Sequence, residues 1–495
     1  MQKYEHAFGK NDIRGIYGED ITEELFYNTG IGFVEWLKEQ SGKKTADMWI
    51  TITRDARLHS PALEKALADG ITSTGANVIN LGLAPTPIGY YSEVVGVEGY
   101  DVIAAAIITA SHNPKEYNGL KMTFNKRTLT EQQIKEVRDI TFKNWLSHPE
   151  AIAEGSQEPS SHTLRMTGKV AEVNIIPNYI KDMENRFGKI GEGVKVVVDS
   201  ANATGGVVGP ELYKKLGCEV VELFSEPDGN FPNHHPNPSV EKTLDTLKDV
   251  VVKEHADVGI AYDGDSDRIG IIDSEGHFLT GDKLLLIYAQ DLIEDCKKKN
   301  ISPTVVSEVK CSQVLFDTID KIGGHAVMCK TGHGYIKDKM KETGAILAGE
   351  MSGHTFFKDR YYGFDDAVYA GCRIIEIIAK HKKNNPNFKI SDMLKPFDEV
   401  YSSSEVRYPC PNELKKSTLE KIQTMIGANK NIFDSPIKDI ITLDGMRIVF
   451  DGGFALIRQS NTEPVFTLRF EAKTKEECEK LKSVMLDMLG KILNN

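Results

Sequence analysis

Residues 257–268 read DVGIAYDGDSDR, an apolar run that leads without a break into a loop with three carboxylates. The run Asp257–Tyr262 is short, largely apolar and bounded by a Gly-containing loop, which is typical of a buried strand. Similar runs alternate along most of the chain with amphipathic segments of helical period, such as Pro61–Thr74. Because alternating strands and helices build parallel sheets covered on both faces, the pattern predicts an α/β fold.

The alternation continues through three rounds and changes near Ser391. Beyond that point, closely spaced strands are separated by Asp-Gly turns at 444–445 and 451–453, a pattern typical of antiparallel hairpins. A chain of 495 residues is also too long for a single core. We therefore expect three similar α/β domains with mixed or mostly parallel sheets, and a smaller C-terminal α+β domain, around a central cleft. The predicted domain boundaries are 1–155, 156–280, 281–390 and 391–495.

The composition limits the kinds of partner. Lys and Arg number 60 and Asp and Glu number 72, so the net charge of −12 argues against a nucleic-acid or membrane-surface footprint. The N-terminus lacks an apolar signal region, and no stretch approaches the length of a membrane span. Seven scattered cysteines without a CxxC pair indicate neither a disulfide framework nor a zinc site. We expect a cytoplasmic protein, monomeric or dimeric, without nucleic-acid or membrane partners.

The loop at 263–268 predicts a metal site. Asp263, Asp265 and Asp267 stand at i, i+2 and i+4, so their carboxylates can converge on one hard cation and leave positions open for a phosphate oxygen. An EF-hand is excluded, because Arg268 and Ser274 occupy the positions that need Gly and Glu. Arg268 can contact the same phosphate. The alternative is a solvated acidic turn.

A second loop, residues 109–114 (TASHNP), follows the apolar run 101–108. It places Ser111 at the carboxyl end of a predicted parallel strand, where α/β sheets bind ligands. Asn113 and Pro114 favour a turn that projects the preceding side chains. An ordinary solvated turn is the alternative. A Ser-His-Asp hydrolase is disfavoured, because Ser111 has no G-x-S-x-G elbow.

Two further polar loops follow strands in the second half of the chain. Residues 349–354 (GEMSGH) offer acceptor, donor and titratable groups to sugar hydroxyls, although an ordinary loop is equally consistent with them. Residues 458–464 (RQSNTEP) combine Arg, Ser, Asn and Thr into a compact anion receptor, or else a capping turn. The chain has no Walker-type motif that would indicate a nucleoside triphosphate. Four such loops, one per domain, suggest phosphoryl chemistry on a sugar phosphate in one cleft.

The four loops together resemble the α-D-phosphohexomutases over essentially the whole chain. The motifs TASHNP, DGDxDR, GEMSGH and RxSNTEP occur in the family's order, and residues 12–15 (DIRG), 308–311 (EVKC) and 330–333 (KTGH) match positions that line the family's cleft. Phosphoglucosamine mutases typically carry Gln where Met351 stands, so the resemblance is to the phosphomannomutase/phosphoglucomutase branch. The chain departs from the family pattern at Ser266, where Gly is common, and at Asn237, where Asp is frequent.

The resemblance implies an enzyme that interconverts hexose 1-phosphate and hexose 6-phosphate. Phospho-Ser111 would give its phosphoryl group to a bound sugar phosphate, and the 1,6-bisphosphosugar would turn end for end before returning a phosphate. A hexose 1,6-bisphosphate would act as activator. Mg²⁺ would be held by Ser111, Asp263, Asp265 and Asp267. The other implied catalytic residues are Arg14, His112, Lys121 and Arg268, with Lys121 as the candidate base.

The resemblance also implies the residues that bind the substrate. The implied sugar-binding residues are Lys310, His333, Glu350, Ser352 and His354. The implied phosphate-binding residues are Arg458, Ser460, Asn461 and Thr462. Two alternatives remain at this point: a phosphoglucosamine-type mutase, against which Met351 counts, and a catalytically silent sugar-phosphate sensor. The intact Ser111 and the complete set of three aspartates count against the sensor.

Overall fold

A computed structural model describes residues 2–147, 168–429, 432–460 and 464–493. These residues form two compact units, one made of Met1–Phe278 with Phe364–Asn387, the other of Leu279–Gly363 with Phe388–Asn495. In the described part of the chain, no helix combines the length and apolar character needed to cross a bilayer.

The first unit begins with a seven-stranded mixed sheet. Its strands are β1 (Ile13–Ile16), β2 (Trp49–Arg54), β3 (Asn77–Leu83), β4 (Val102–Ile108), β5 (Tyr117–Phe124), β6 (Arg127–Thr128) and β7 (Val170–Glu172). Its helices are α1 (Gln2–Glu5), α2 (Glu23–Ser41), α3 (Ser60–Ser73), α4 (Thr86–Val94) and α5 (Glu131–Ser147). The strand order is β1-β5-β4-β2-β3-β7, with β6 beside β5. Strands β4, β2, β3 and β7 run parallel, whereas β5 pairs antiparallel with both β4 and β1.

The second sheet has five strands. They are β8 (Lys195–Asp199), β9 (Glu219–Leu223), β10 (Val258–Tyr262), β11 (Ile269–Asp273) and β12 (Phe278–Leu279). The helices that accompany them are α6 (Ile176–Phe187), α7 (Gly209–Lys215) and α8 (Asp245–Lys253), with short 3₁₀ turns at Thr204–Val207 and Glu241–Leu244. Strands β9, β8 and β10 are parallel, and β11 returns antiparallel beside β10. All five residues of β10 are buried, as its unbroken apolar sequence requires.

The second unit contains the third sheet, in the order β14-β13-β15-β16. Its elements are α9 (Gly281–Lys297), β13 (Thr304–Glu308), α10 (Gln313–Lys321), β14 (His325–Cys329), α11 (His333–Thr343), β15 (Leu347–Gly349) and β16 (Thr355–Phe357). The next helix, α12 (Ala367–Lys382), belongs to the first unit. Strands β14, β13 and β15 are parallel, and β16 forms an antiparallel hairpin with β15.

The C-terminal sheet of the second unit is antiparallel throughout its named pairs. It contains β17 (Tyr401–Ser402), β18 (Val406–Pro409), β19 (Asp439–Ile441), β20 (Met446–Phe450), β21 (Gly453–Gln459) and β22 (Val465–Ala472), with helices α13 (Asn412–Ala428) and α14 (Lys475–Leu493). A 3₁₀ helix, Ile390–Glu399, precedes it. Apolar side chains of the strands and of both helices form its core.

The expected fold class is confirmed: three mixed α/β sheets are followed by an α+β region. The sequence patterns did not reveal the antiparallel strands β5, β11 and β16, each of which begins soon after a polar loop. The chain therefore turns back at each of these loops and places it between two neighbouring strands. The boundaries at 155, 280 and 390 and the shared central cleft remain predictions.

Candidate active site

The Ser111 loop leaves the end of β4 and returns along β5. Ser111 itself has a left-handed backbone, with φ of 49°, and its N–H donates to the Thr109 hydroxyl at 2.8 Å. Its side-chain Oγ donates to Asp263 Oδ2 at 2.6 Å and lies 3.1 Å from His112 Nδ1. The local backbone thus directs the hydroxyl toward the carboxylate loop after β10.

The hydrogen-bond partners of His112 determine which of its ring nitrogens carries the proton. Arg268 Nη1 lies 3.3 Å from His112 Nε2, and a guanidinium can only donate. Nε2 must then accept, so in a neutral ring the proton is on Nδ1, which donates to Ser111 Oγ. Arg268 also lies 3.9 Å from Asp263, and its backbone N–H donates to that carboxylate at 3.2 Å. His112 therefore joins the serine to Arg268.

The three aspartates form one buried cluster. Ligand oxygens of Asp263, Asp265 and Asp267 lie within 4.8 Å of one another, and the three residues are at most 2% exposed. Burial, followed by the neighbouring Asp267 and Asp265 charges, raises the pKa of Asp263 well above its ordinary value. Asp265 Oδ1 is buried and accepts no hydrogen bond from the described residues. A hard divalent cation would fit this site, because it is bound by oxygen ligands and would offset the repulsion among the three carboxylates.

Two local features fix the aspartate loop beside Ser111. A Cβ atom added at Gly264 would lie 2.3 Å from the Ser111 carbonyl oxygen, so only glycine allows the two loops to approach this closely. On the other side, the hydroxyl and the N–H of Thr86, at the start of α4, donate to the side chain and carbonyl of Asp265 at 2.6 and 2.8 Å. The loops are thus positioned by backbone contact as well as by side chains.

Lys121 lies on β5 with its ammonium between two of the aspartates. Its Nζ donates to Asp265 at 2.7 Å and to Asp267 at 2.5 Å, and the residue is 3% exposed. Burial by itself lowers the pKa of Lys121, but the Asp265 and Asp267 charges outweigh it and raise the pKa well above its ordinary value. A general base needs the opposite shift. The role of Lys121 as the base remains a prediction; in this arrangement its ammonium donates to two aspartates.

Arg14, on β1, supplies a second cation. It donates to the Asn113 side chain at 2.9 Å and pairs with Asp12. Burial opposes its charge, but Asp12, Asp265 and Asp267 outweigh burial and raise the pKa of Arg14. Arg14 Nε is buried and has no acceptor among the described residues. The first unit thus brings together all eight residues predicted there for catalysis and metal binding.

In the second unit, the loop between β15 and β16 contains Glu350. One oxygen of its carboxylate accepts the Gly332 N–H at 2.7 Å, and the other lies 2.9 Å from His354 Nδ1. The Ser352 hydroxyl is 3.1 Å from the same nitrogen, and the His333 and His354 rings are 5.7 Å apart. Burial raises the pKa of Glu350, but His354, His333 and Lys310 together lower it to about 2. Glu350 is an ionised, oriented acceptor.

Lys310 lies at the end of β13, near a second buried carboxylate. Its Nζ is 3.5 Å from Glu308, whose Oε1 accepts the Met351 N–H at 2.9 Å. Burial is the largest cause of a raised pKa at Glu308, with Glu350 adding to it. The predicted sugar-binding residues thus form one cluster of the second unit, and Glu308, from the cleft-lining stretch 308–311, is a member to which the sequence analysis gave no role of its own.

Arg458 is joined to this cluster through Asp444. Asp444 Oδ2 accepts from Arg458 Nε and from the Thr331 N–H, both at 3.1 Å. Lys415, which is buried, donates to the Ser460 carbonyl at 2.9 Å and so adds a cation beside the predicted phosphate loop. Asn461 and Thr462 lie outside the described residues. In the sequence, Asp444 is part of an expected hairpin turn and Lys415 belongs to no motif, so neither carried a functional signal.

Models of one protein family match most of the chain. Models of the phosphoglucomutase/phosphomannomutase α/β/α domains I, II and III match residues 5–147, 177–276 and 280–396, and the model of the family's C-terminal domain matches 405–488. The chain belongs to the phosphoglucomutase/phosphomannomutase family. The expected resemblance is thereby confirmed, with all four domains in the family's order.

Similar family members are known from several bacteria. A phosphomannomutase/phosphoglucomutase of Pseudomonas aeruginosa is 37% identical over 97% of this chain and 95% of its own. A phosphoglucomutase of Neisseria gonorrhoeae is 36% identical over 96% of this chain and 95% of its own. The crystal structure of a phosphoglucomutase/phosphomannomutase family protein from Burkholderia thailandensis has a TM-score of 0.83 and 32% identity, and the match covers 98% of this chain and 97% of that one.

Proposed function

We propose that the protein is a phosphohexomutase that interconverts the 1- and 6-phosphates of glucose and mannose through phospho-Ser111 and a 1,6-bisphosphosugar. The observation that carries the proposal is the 2.6 Å contact between Ser111 Oγ and Asp263 inside a buried three-carboxylate cluster. Membership of the phosphoglucomutase/phosphomannomutase family supports the same reaction.

The proposed cofactor is Mg²⁺, held by Asp263, Asp265, Asp267 and a phosphoryl oxygen on Ser111. When bound, Mg²⁺ neutralises charge that develops on the phosphoryl group during transfer. The cluster's oxygen-only ligands and the repulsion that raises the Asp263 pKa favour a hard cation here.

The chain's own cations would act on the same phosphoryl group. Arg268 lies on the serine side of the cluster, and Arg14 has one buried N–H that is available to an oxygen. Lys121, as an ammonium, can donate a proton or a hydrogen bond to an oxygen near Asp265 and Asp267. These three groups would orient the phosphoryl group and offset its charge, the main protein contributions in phosphoryl transfer.

The proposed sugar-binding and phosphate-binding residues belong to the second unit. Glu350, held by Gly332 and His354, would accept hydrogen bonds from sugar hydroxyls, with Ser352, His333 and Lys310 around it. The non-reacting phosphate would bind Arg458 and Ser460, with Asn461 and Thr462 from the same loop. A hexose 1,6-bisphosphate would prime the enzyme by phosphorylating Ser111. A cytoplasmic location and a monomeric or dimeric state remain predictions.

The deciding experiment is a substrate panel. Glucose 1-phosphate, mannose 1-phosphate and glucosamine 1-phosphate are assayed with Mg²⁺ and a trace of glucose 1,6-bisphosphate. We expect the first two to be converted to their 6-phosphates. A protein that turns over only glucosamine 1-phosphate, or that binds sugar phosphates without turnover, would replace this function with the amino-sugar mutase or the sensor.

A further inference from the structure

Arg57 is a buried arginine directly beneath the Ser111 loop, and all five of its side-chain N–H donors are engaged. Its Nε donates to Asp55 at 3.0 Å. Its other four N–H groups donate to backbone carbonyls of the loop, namely those of Ser111 at 2.9 Å, Asn113 at 2.7 Å, Tyr117 at 3.1 Å and Pro114. The residue is 1% exposed. Because no donor remains, Arg57 cannot itself bind a phosphate.

Asp55 holds the guanidinium and the start of the same loop. Its Oδ1 accepts hydrogen bonds from the backbone N–H of Arg57 at 3.1 Å and from the Ser60 hydroxyl at 2.6 Å. Its Oδ2 accepts the Arg57 side chain and, at 3.3 Å, the N–H of Ala110. The pair follows β2, the strand next to β4, so a rigid sheet carries it. Asp55 therefore joins the residue before Ser111 to the arginine that holds the residues after it.

The loop needs such support for two physical reasons. Ser111 adopts a left-handed backbone, which is unfavourable for a residue other than glycine. The four carbonyl oxygens also point toward one place, where their partial charges repel unless a donor satisfies each of them. A planar guanidinium offers donors in fixed directions, whereas an ammonium offers three on a flexible stem.

We propose that Arg57, held by Asp55, is a positioning residue that sets Ser111 Oγ for phosphoryl transfer by fixing the carbonyls of residues 111–117. The inference rests on the proposed function for the transfer step. The structural part of the inference, that Arg57 orders this loop, rests on the contacts alone. Small displacements of a reacting atom can lower a rate about 10²-fold, so loss of this support should affect kcat more than KM.

The test compares Arg57→Lys with Arg373→Lys. Arg373 is equally buried, on α12, and its partners include Tyr369 and Glu376. Hydrogen–deuterium exchange should show faster exchange confined to residues 110–118 in Arg57→Lys and not in Arg373→Lys. Mass spectrometry after incubation with glucose 1,6-bisphosphate should show Ser111 phosphorylated about 10²-fold more slowly in Arg57→Lys, with KM within about threefold of the wild type.

Arg57→Ala with added guanidinium chloride provides an independent second variant. Millimolar guanidinium should restore phosphorylation at least tenfold, and the same concentration of sodium chloride should not. Unchanged exchange at 110–118 in Arg57→Lys, or wild-type phosphorylation of Ser111 in it, would overturn the inference. If wild-type Ser111 takes no phosphate while the exchange difference persists, the proposed function fails and the loop-ordering role stands.

Discussion

Ser111 donates a 2.6 Å hydrogen bond to Asp263, although 152 residues separate the two in the chain. The serine belongs to the region matched by domain I of the family and the aspartate to the region matched by domain II. The candidate nucleophile and the candidate metal ligands are therefore brought together by tertiary structure, and each of them lies on a loop fixed by a buried strand.

Replacement of Ser111 by Ala should abolish phosphoryl exchange. Without the hydroxyl there is no acceptor for the phosphoryl group, so kcat should fall about 10³-fold or more. Ser239→Ala, at an exposed serine that bonds only locally to Asn237, is the matched control and should retain wild-type activity. A Ser111→Ala protein with substantial mutase activity would require a different phosphoryl carrier.

Asp265→Asn should weaken metal binding and slow turnover. The change removes one negative charge from three converging carboxylates, and we expect roughly a 10²-fold decrease in kcat together with a higher Mg²⁺ requirement. Asp249→Asn, on the exposed face of α8, controls for the substitution itself. Chelation with EDTA should inactivate the wild type reversibly. Full activity after chelation would contradict the metal assignment.

Glu350→Gln should impair glucose 1-phosphate and mannose 1-phosphate to a similar extent. The carboxylate is held by Gly332 and His354, and we expect it to read the 3- and 4-hydroxyls, which the two sugars share. In the wild type the two kcat/KM values should agree within roughly tenfold, whereas galactose 1-phosphate, a C4 epimer, should be rejected by up to about 10⁴-fold.

Steady-state kinetics with the three sugar phosphates measure this directly, and Glu342→Gln, on an exposed face of α11, is the control variant. An enzyme that is fast with glucose 1-phosphate and inert with mannose 1-phosphate reads the 2-hydroxyl, which would refute this account of Glu350.

His234 should make the stability of the protein depend on pH. Its Nε2 lies 3.0 Å from buried Asp199 and its Nδ1 3.0 Å from the His235 carbonyl, so both nitrogens face acceptors. Burial by itself lowers the pKa of His234, but the hydrogen bond and charge of Asp199 outweigh it and raise the pKa. Because the pKa of His234 is raised in the folded protein, its ion pair with Asp199 stabilises the fold. This contribution is complete below the ordinary histidine pKa near 6.5 and is lost as the pH rises through the folded-state pKa.

Thermal unfolding of the wild type and His234→Gln between pH 5.5 and 9 tests this. The difference in Tm should be largest at the acidic end and shrink toward pH 9. A His234→Gln difference that is constant across the range would show that the imidazole is not a cation in the folded protein.

The sequence predicted most strands and the polar loops at 109–114, 263–268 and 349–354, because hydrophobic runs and turn residues are local signals. Asp263, Asp265 and Asp267 were recognisable for the same reason, since their spacing lies within one loop. The ion pairs of Lys121 could not be read from the sequence, because its partners, Asp265 and Asp267, are 144 and 146 residues away. No local pattern records such a pairing.

Arg57 illustrates what the sequence could not reveal. The stretch 54–57 (RDAR) has three charged residues and carries no motif, yet Arg57 is buried and donates to carbonyls 54–60 residues further along. Asp444 was likewise only a turn residue in the sequence, and Glu308 had no role of its own, whereas the second unit brings them to Arg458 and Lys310. These residues act through contacts that only the folded chain creates.

The central claim is that Ser111 carries the phosphoryl group that moves between sugars. The most direct measurement labels the wild type with glucose 1,6-bisphosphate that contains ³²P in both phosphates, removes free sugar, and then adds unlabelled glucose 1-phosphate. The account predicts that label first appears on the peptide containing Ser111 and then leaves it within one turnover, as labelled glucose bisphosphate and glucose 6-phosphate. Label that never reaches Ser111, or that stays there when the sugar phosphate is added, would contradict it.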